Sequence, residues 1–200
     1  MARRYDHTKE DLKELIIDSA EKIISKSGYG ALTTRKLAQK IGYSHGIIYS
    51  YFKNIDDLVL HLNSSTLQKL HKQINSAIDQ NNCPETQLEE IGKIYLNLAY
   101  NDFYKWDLLF NYQYTKINKI PESYQKLIDS VFNLVQTPIA GITCNKKLIS
   151  DLSHIFWAGI HGIVDLSSKS KLEKAKAKSE TELIRTFVKI FISGIENYKN

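Results

Sequence analysis

Thr33, Thr34, Arg35, Tyr43, Ser44, His45, Tyr49, Tyr51 and Lys53 crowd into one short stretch, TTRKLAQKIGYSHGIIYSYFK. Hydroxyl, imidazole, guanidinium and ammonium groups donate well to anionic oxygens and to the edges of bases. To act together they need a rigid support, and the apolar residues between them supply it. Leu37, Ala38 and Ile41 recur at the spacing of one buried helical face, and Ile48 and Phe52 lie four apart.

These positions predict a helix, a tight turn and a second helix, with a third starting behind them. Thr33 is suited to cap the first helix, Gly42 to end it in the left-handed conformation, and Ser44 to cap the next. With Ile48 and Phe52 turned inward, His45, Gly46, Ile47, Tyr49 and Tyr51 point elsewhere. A short helix that exposes two tyrosines and a histidine has the geometry of a helix-turn-helix reading head. Asn54 is expected to cap the helix behind it, with Asp56 and Asp57 favourable in its first turn.

The same stretch resembles the DNA-binding domain of the tetracycline-repressor (TetR) family of bacterial regulators. That family carries a Thr opening the second helix, an apolar-Ala pair, and then Gly-x-Ser-x-Gly-x-apolar-Tyr-x-x-Phe. Thr33, Leu37-Ala38, Gly42, Ser44, Gly46, Ile48, Tyr49 and Phe52 stand at those positions. A Lys usual in the family at the start of the fourth helix, where it meets a phosphate, is Ile55 here, and Lys53 is close enough to substitute. Further on, FWAGIHGIVDL, with Trp157, His161 and Gly162, is similar to the WHG signature found in the C-terminal domain of some TetR-like regulators.

The resemblance implies an all-α protein. A three-helix helix-turn-helix DNA-binding domain is expected over residues 1–54, and a helical-bundle effector-binding and dimerisation domain over 55–200. It implies a homodimer paired through helices near 148–167 and 180–197. It also implies a ligand-responsive transcriptional regulator, a repressor that binds a palindromic double-stranded operator and is released by a small-molecule effector. Phosphates are expected at Thr33, Thr34, Arg35, Tyr49, Tyr51 and Lys53. Base edges are expected at Tyr43, Ser44, His45 and Ile47, the last against a thymine methyl.

Composition agrees. The 200-residue chain carries a net charge of +5, and Met1–Ile55 holds ten Lys or Arg against six Asp or Glu. A basic surplus beside a reading helix suits a phosphate-binding surface. Cys83 and Cys144 are too few and too far apart for a metal motif or a disulfide scaffold, so a reducing cytoplasm is the expected compartment. The N-terminus lacks the apolar core of a signal peptide, and no uninterrupted apolar run is long enough to span a bilayer. A soluble protein without a membrane partner, cofactor or metal is expected. Three prolines, nine glycines and near-continuous helical periodicity point to helices throughout.

Along the chain, Met1–His7 reads as a basic arm with Arg3 and Arg4 free to approach DNA. A helix capped by Thr8 should run to about Ser27 and end at Gly28. The fourth helix, carrying Leu58, Leu62, Leu70, Ile74 and Ile78, joins the reading head to the rest of the chain without a flexible linker. Residues 95–114 hold eight of the chain's 21 aromatic residues. Most single members are expected in ordinary core, but tyrosines with an apolar face and a hydroxyl also suit a pocket with a few polar handles. The candidate ligand residues are Tyr95, Phe103, Trp106, Phe110, Tyr114, Trp157 and His161, and their low charge favours an apolar or aromatic effector.

A loop is expected at Ile117–Pro121, then a helix from Glu122 to about Gln136 that Pro138 terminates, and another from about Lys147 to Ser167. Gly159 and Gly162 suggest close helix approach, as at a surface between subunits. The lysine-rich residues 169–178 read as a solvated loop or frayed helix end. The last helix, Glu180–Tyr198, is more apolar than a one-sided outer helix needs.

Two other classes compete with the regulator. A constitutive DNA- or protein-binding factor would have a solid core and no effector. A helical enzyme would need convergent acid, base or nucleophile groups, and Asp102, Asp107, His154 and His161 form no catalytic motif by spacing. The two histidines, two helical turns apart, are expected to be packed or hydrogen-bonded rather than metal ligands.

Overall fold

The computed structural model describes residues 8–174 and 177–198, so the arm bearing Arg3 and Arg4 lies outside the described residues. Every regular element among them is helical. They run α1 (Lys9–Ser27), a 3-10 turn (Tyr29–Ala31), α2 (Thr34–Ile41), α3 (Gly46–Tyr49), α4 (Ile55–Ala77) and α5 (Pro84–Asn101). Then come α6 (Phe103–Asn111), α7 (Glu122–Ala140), α8 (Lys146–Ser168), α9 (Lys171–Lys174) and α10 (Glu180–Asn197).

Packing divides the chain into two compact units, one of residues 1–66 with 103–124 and one of residues 67–102 with 125–200. α4 begins in the first and ends in the second. The division by role expected at residue 54 is a different matter from this division by packing.

The first unit starts at a full capping box. The Thr8 hydroxyl accepts from the Asp11 N–H while the Asp11 carboxylate accepts from the Thr8 N–H. α1 ends at Gly28, whose φ of 72° only glycine adopts without strain. Its buried stripe of Leu12, Ile16, Ala20, Ile23 and Ile24 meets Leu37 and Ala38 of α2, Ile48 of α3 and Leu58, Val59 and Leu62 of α4. α6 completes this core with Leu108 and is tied to α1 by the Lys105–Glu21 ion pair at 3.2 Å. Tyr29 reinforces the same join, its hydroxyl donating to the Asn111 carbonyl.

In the second unit α5, α8 and α10 pack at close range because Gly92 has no side chain. A Cβ there would lie 2.7 Å from Cγ2 of Ile184 and 3.2 Å from Cδ1 of Ile160, both essentially buried. Gly159 has the same role between α8 and α10, where a Cβ would fall 2.3 Å from the Phe187 ring of the same chain. Gly162 faces open space. Within the chain, the close approach expected at these glycines is present at Gly159, against Phe187. Glu89 of α5 pairs with Lys93 at 2.9 Å and with Arg185 of α10 at 3.2 Å.

Pro138 does not terminate α7, which continues to Ala140 with the proline in its last turn. Pro138 and Ile139 are buried, and that burial favours continuing the helix past the missing N–H. The segment from Tyr112 to Pro121 is non-helical, longer than the expected loop.

Candidate nucleic-acid interface

The reading head is built by local hydrogen bonds that its sequence dictates. Thr33, extended at φ −128° and ψ 150°, caps α2 through its hydroxyl, which accepts from the Lys36 N–H at 3.1 Å. Gly42, at φ 78° and ψ 25°, ends α2 in the left-handed conformation, and the Tyr43 N–H returns to the Ala38 carbonyl at 3.0 Å. This six-to-one bond closes the helix as in a Schellman motif and turns Tyr43 back against the core.

The expected Ser44 cap is not what starts α3. His45, in right-handed helical conformation, precedes Gly46 with no side-chain cap, and the first turn is closed instead by Ile47 N–H to the Ser44 carbonyl and Ile48 N–H to the His45 carbonyl. A tight i-to-i+3 turn lets the Ser44 backbone carbonyl close the first turn, so the side chain is not needed as a cap. α3 spans only Gly46–Tyr49, and Phe52 lies beyond its end, held by its N–H to the Ile48 carbonyl at 2.9 Å. Ile48 and Phe52 are buried as expected, Phe52 with its ring edge to His61 of α4.

Around those two anchors Thr33, Arg35, Ser44, His45, Tyr49 and Lys53 are exposed. Tyr49 stands out, with 54% of its surface accessible. Thr34, Tyr43, Ile47 and Tyr51 are half-buried, the last three packed against the core of the unit. Ile55 also packs there, so the position where the resembling family carries a phosphate-binding Lys has an apolar packing role. Asn54 caps α4 as expected, accepting from the Asp57 N–H, while the Asp57 carboxylate accepts from the Lys53 N–H, each at 2.9 Å.

Asp56 is the residue that sequence reasoning undervalued. It is fully buried, and its carboxylate accepts from the Tyr112 hydroxyl at 2.7 Å and from the backbone N–H groups of Thr115 and Lys116 at 2.7 and 2.5 Å. Burial alone would raise its pKa. The Lys116 N–H, the Tyr112 hydroxyl and the Thr115 N–H outweigh burial and hold it below the ordinary carboxylate value. The start of α4 is thereby latched to the segment after α6. The only sequence signal was an acidic residue at a helix start, which reads equally as a favourable dipole charge.

Within each unit, the candidate ligand residues make the following contacts. Tyr95, Trp157 and His161 are together in the second unit. Tyr95 is fully buried, its ring lies 4.7 Å from that of Trp157, and its hydroxyl is 2.6 Å from His161 Nδ1. Burial depresses the His161 pKa, against the pull of Asp165. Phe103, Trp106 and Phe110 stack along α6 in the first unit, with Trp106 fully buried. Tyr114 accepts from the Asn63 amide at 2.9 Å and meets Tyr112 edge-on. His154 bonds the Ser150 carbonyl at 2.8 Å, so it and His161 have different partners.

Residues 16–62, which hold this reading head and its supports, match the model of the family described as "Bacterial regulatory proteins, tetR family". The chain is 40% identical over 47 residues to the fatty acid metabolism regulator protein of Bacillus subtilis (strain 168), a match covering 24% of each chain. It is 24% identical over 194 residues to the transcriptional regulator QacR of Staphylococcus aureus (strain Mu50 / ATCC 700699), covering 92% of this chain and 98% of that one. Among solved structures it shares a fold with a TetR variant from Acinetobacter baumannii AYE in complex with minocycline. That match has a TM-score of 0.64 at 17% identity, covering 98% and 99% of the two chains. No helix among the described residues is long and apolar enough to cross a membrane.

Proposed function

Because the chain belongs to the tetR family of bacterial regulatory proteins, whose members are DNA-binding transcriptional regulators, we propose that it is a homodimeric repressor released from its operator by a small molecule. The observation that carries this reading is the arrangement of α3. Ile48 and Phe52 anchor it from below, while His45, Ser44 and Tyr49 stand exposed above. Residues 1–54 act as the reading domain and 55–200 as the effector and dimer domain.

Thr33, Thr34, Arg35, Tyr49, Tyr51 and Lys53 contact phosphates and set the register. Tyr43, Ser44, His45 and Ile47 meet base edges in the major groove. One such short helix reaches too few base pairs to be selective, so two copies are needed. A twofold dimer puts them about 34 Å, or a small multiple of that, apart along a palindrome. Supporting a dimer through α8 and α10 are their exposed apolar residues Ile155, Leu166 and Ile190, the last 68% accessible. The FWAGIHGIVDL run on α8 supports a WHG-type C-terminal domain.

The effector is a small molecule with an apolar or aromatic face, received among the aromatic side chains. The Acinetobacter TetR variant, whose fold this chain shares, was solved with minocycline. A ligand that binds better to the conformation with widely spaced reading heads lowers operator affinity through α4, by population shift.

The test is binding of the purified protein to fragments of its own upstream DNA across a salt titration. Saturable, sequence-selective binding with two protomers per site and a steep salt slope is expected. Weak binding indifferent to sequence would overturn the reading.

A further inference from the structure

A cleft of about 360 Å³ opens between α1 and α2 in the first unit. Lys22 and Lys26, one turn apart on α1, line one wall, and Lys36 and Lys40, one turn apart on α2, line the other. All four are exposed, no carboxylate lines the cleft, and none of the four is in an ion pair among the described residues. The floor is the buried side chain of Ile23, and Gln39 adds a neutral donor.

Helix stability explains only half of this cluster. Lys26 and Lys40 sit in the last turns of their helices, where a cation complements the dipole. Lys22 is further from the α1 C-terminus, and Lys36 lies in the first turn of α2, at the end where a cation is disfavoured. Four ammonium groups around one cleft repel one another, and a polyanion reverses the sign of that interaction.

One wall of the cleft belongs to the helix that carries the expected phosphate contacts. The backbone N–H of Lys36 is bonded to the hydroxyl of Thr33, and Lys36 follows Arg35 directly in the chain, so the α2 wall starts next to the expected phosphate contacts Thr33, Thr34 and Arg35. α2 is about 12 Å long at 1.5 Å per residue, and duplex DNA carries one charge per roughly 1.7 Å of its axis. The cleft is therefore of a length that about three successive phosphates of one strand, spaced at about 3.4 Å, would span.

We propose that Lys22, Lys26, Lys36 and Lys40 form a second, sequence-independent phosphate site that holds the DNA backbone flanking the half-site read by α3. The inference rests on the DNA-binding reading above and extends it to a surface outside the helix-turn-helix contacts.

The test compares the full-length protein with the variant Lys22→Gln/Lys26→Gln/Lys36→Gln/Lys40→Gln on three duplexes. One is a selected operator trimmed to its half-sites, one the same operator with ten further base pairs on each side, and one a random sequence. Unchanged far-ultraviolet circular dichroism and melting temperature confirm that these exposed substitutions leave the fold intact. On the flanked and random duplexes the variant should lose about tenfold in affinity or more, and its salt slope should fall by roughly 0.9 for each phosphate contact removed. On the trimmed operator the two proteins should bind alike, and the ratio of operator to random affinity should be kept within about twofold.

An unchanged salt slope on the flanked and random duplexes overturns the proposal. So does a changed base preference at constant slope, which would put these lysines in sequence readout. Loss of binding to inorganic polyphosphate with no change on DNA would assign the cleft to a free polyanion and also overturn it. Should the parent protein select no sequence, the operator reading fails, while the slopes on random duplex still decide the cleft.

Discussion

In α3 the fully buried residue is Ile48 and the polar one, Tyr49, is 54% exposed; in α5 a tyrosine, Tyr95, is fully buried along with apolar residues such as Leu88, and its hydroxyl meets His161 Nδ1 at 2.6 Å. The reading head thus uses an apolar anchor to hold polar groups outside its core. The second unit draws a polar group into its interior and must satisfy it there. An exposed tyrosine hydroxyl keeps its hydrogen bonds with water until a partner displaces them, whereas a buried one needs a partner at all times. Substitution of the exposed polar groups in the first region should therefore change binding without changing stability, whereas substitution of the buried polar group in the second should cost stability.

The largest effect that sharpens this contrast is Ile48→Ala. Removing a fully buried side chain beneath α3 should cost about 2–5 kcal/mol, lowering the melting temperature by roughly 2–4 °C per kcal/mol and abolishing operator binding. Gly92→Ala is its counterpart in the second unit. The new methyl meets Ile184 and Ile160, so a loss of about 1–3 kcal/mol is expected in thermal melts. Full stability in either variant would break the picture of a tightly packed anchor at that site.

Next comes Asp56→Ala, which strands the Tyr112 hydroxyl and the N–H groups of Thr115 and Lys116. About 2 kcal/mol should be lost in denaturant titrations at neutral pH. The Asp56 pKa is depressed on folding, so its contribution is present above the unfolded value near 3.8 and disappears as pH falls through the folded value. Parent and variant should accordingly converge in stability as the pH falls below the unfolded value near 3.8.

Smaller still are the effects expected on the outer face of the reading head. Tyr49→Phe should leave the melting temperature within about 1 °C and weaken all operators alike by about fivefold, the loss of one phosphate bond. His45→Ala should keep stability and change the preferred base instead. Equal losses on matched and mismatched operators for both variants would end that division of roles.

The smallest effect tests the buried imidazole. His161 is held below the ordinary histidine value, by burial first and by Lys169, against Asp165. The unfolded chain takes up a proton near pH 6.5 that the folded chain resists, so stability should decline as pH falls from 6.5 towards the folded value. The variant His161→Gln should show a shallower decline over that window. His61, depressed in the same direction, remains in both proteins and sets the residual slope.

Much of the reading head is legible from spacing. Thr33, Gly42, Ile48, Phe52 and Asn54 behave as expected because caps, left-handed turns and buried stripes depend on neighbours a few residues away. Ser44 departs from expectation for the same local reason. Its side chain and its carbonyl offer alternative closures of one turn, and spacing does not choose between them. Pro138 departs because the burial that carries α7 past it comes from residues distant in sequence.

By itself the sequence determined what adjacent residues settle among themselves: helices throughout, their caps, and a short exposed helix after a glycine turn. Tertiary structure alone decided which aromatic residues meet, that Asp56 latches residues 112–116, that Gly159 receives Phe187 of its own chain, and that lysines of α1 and α2 share one cleft. The reason is the range of the forces involved. Hydrogen bonds within a turn are set by backbone geometry over a few residues, but burial and charge gather groups that lie tens of residues apart, and spacing carries no record of that meeting.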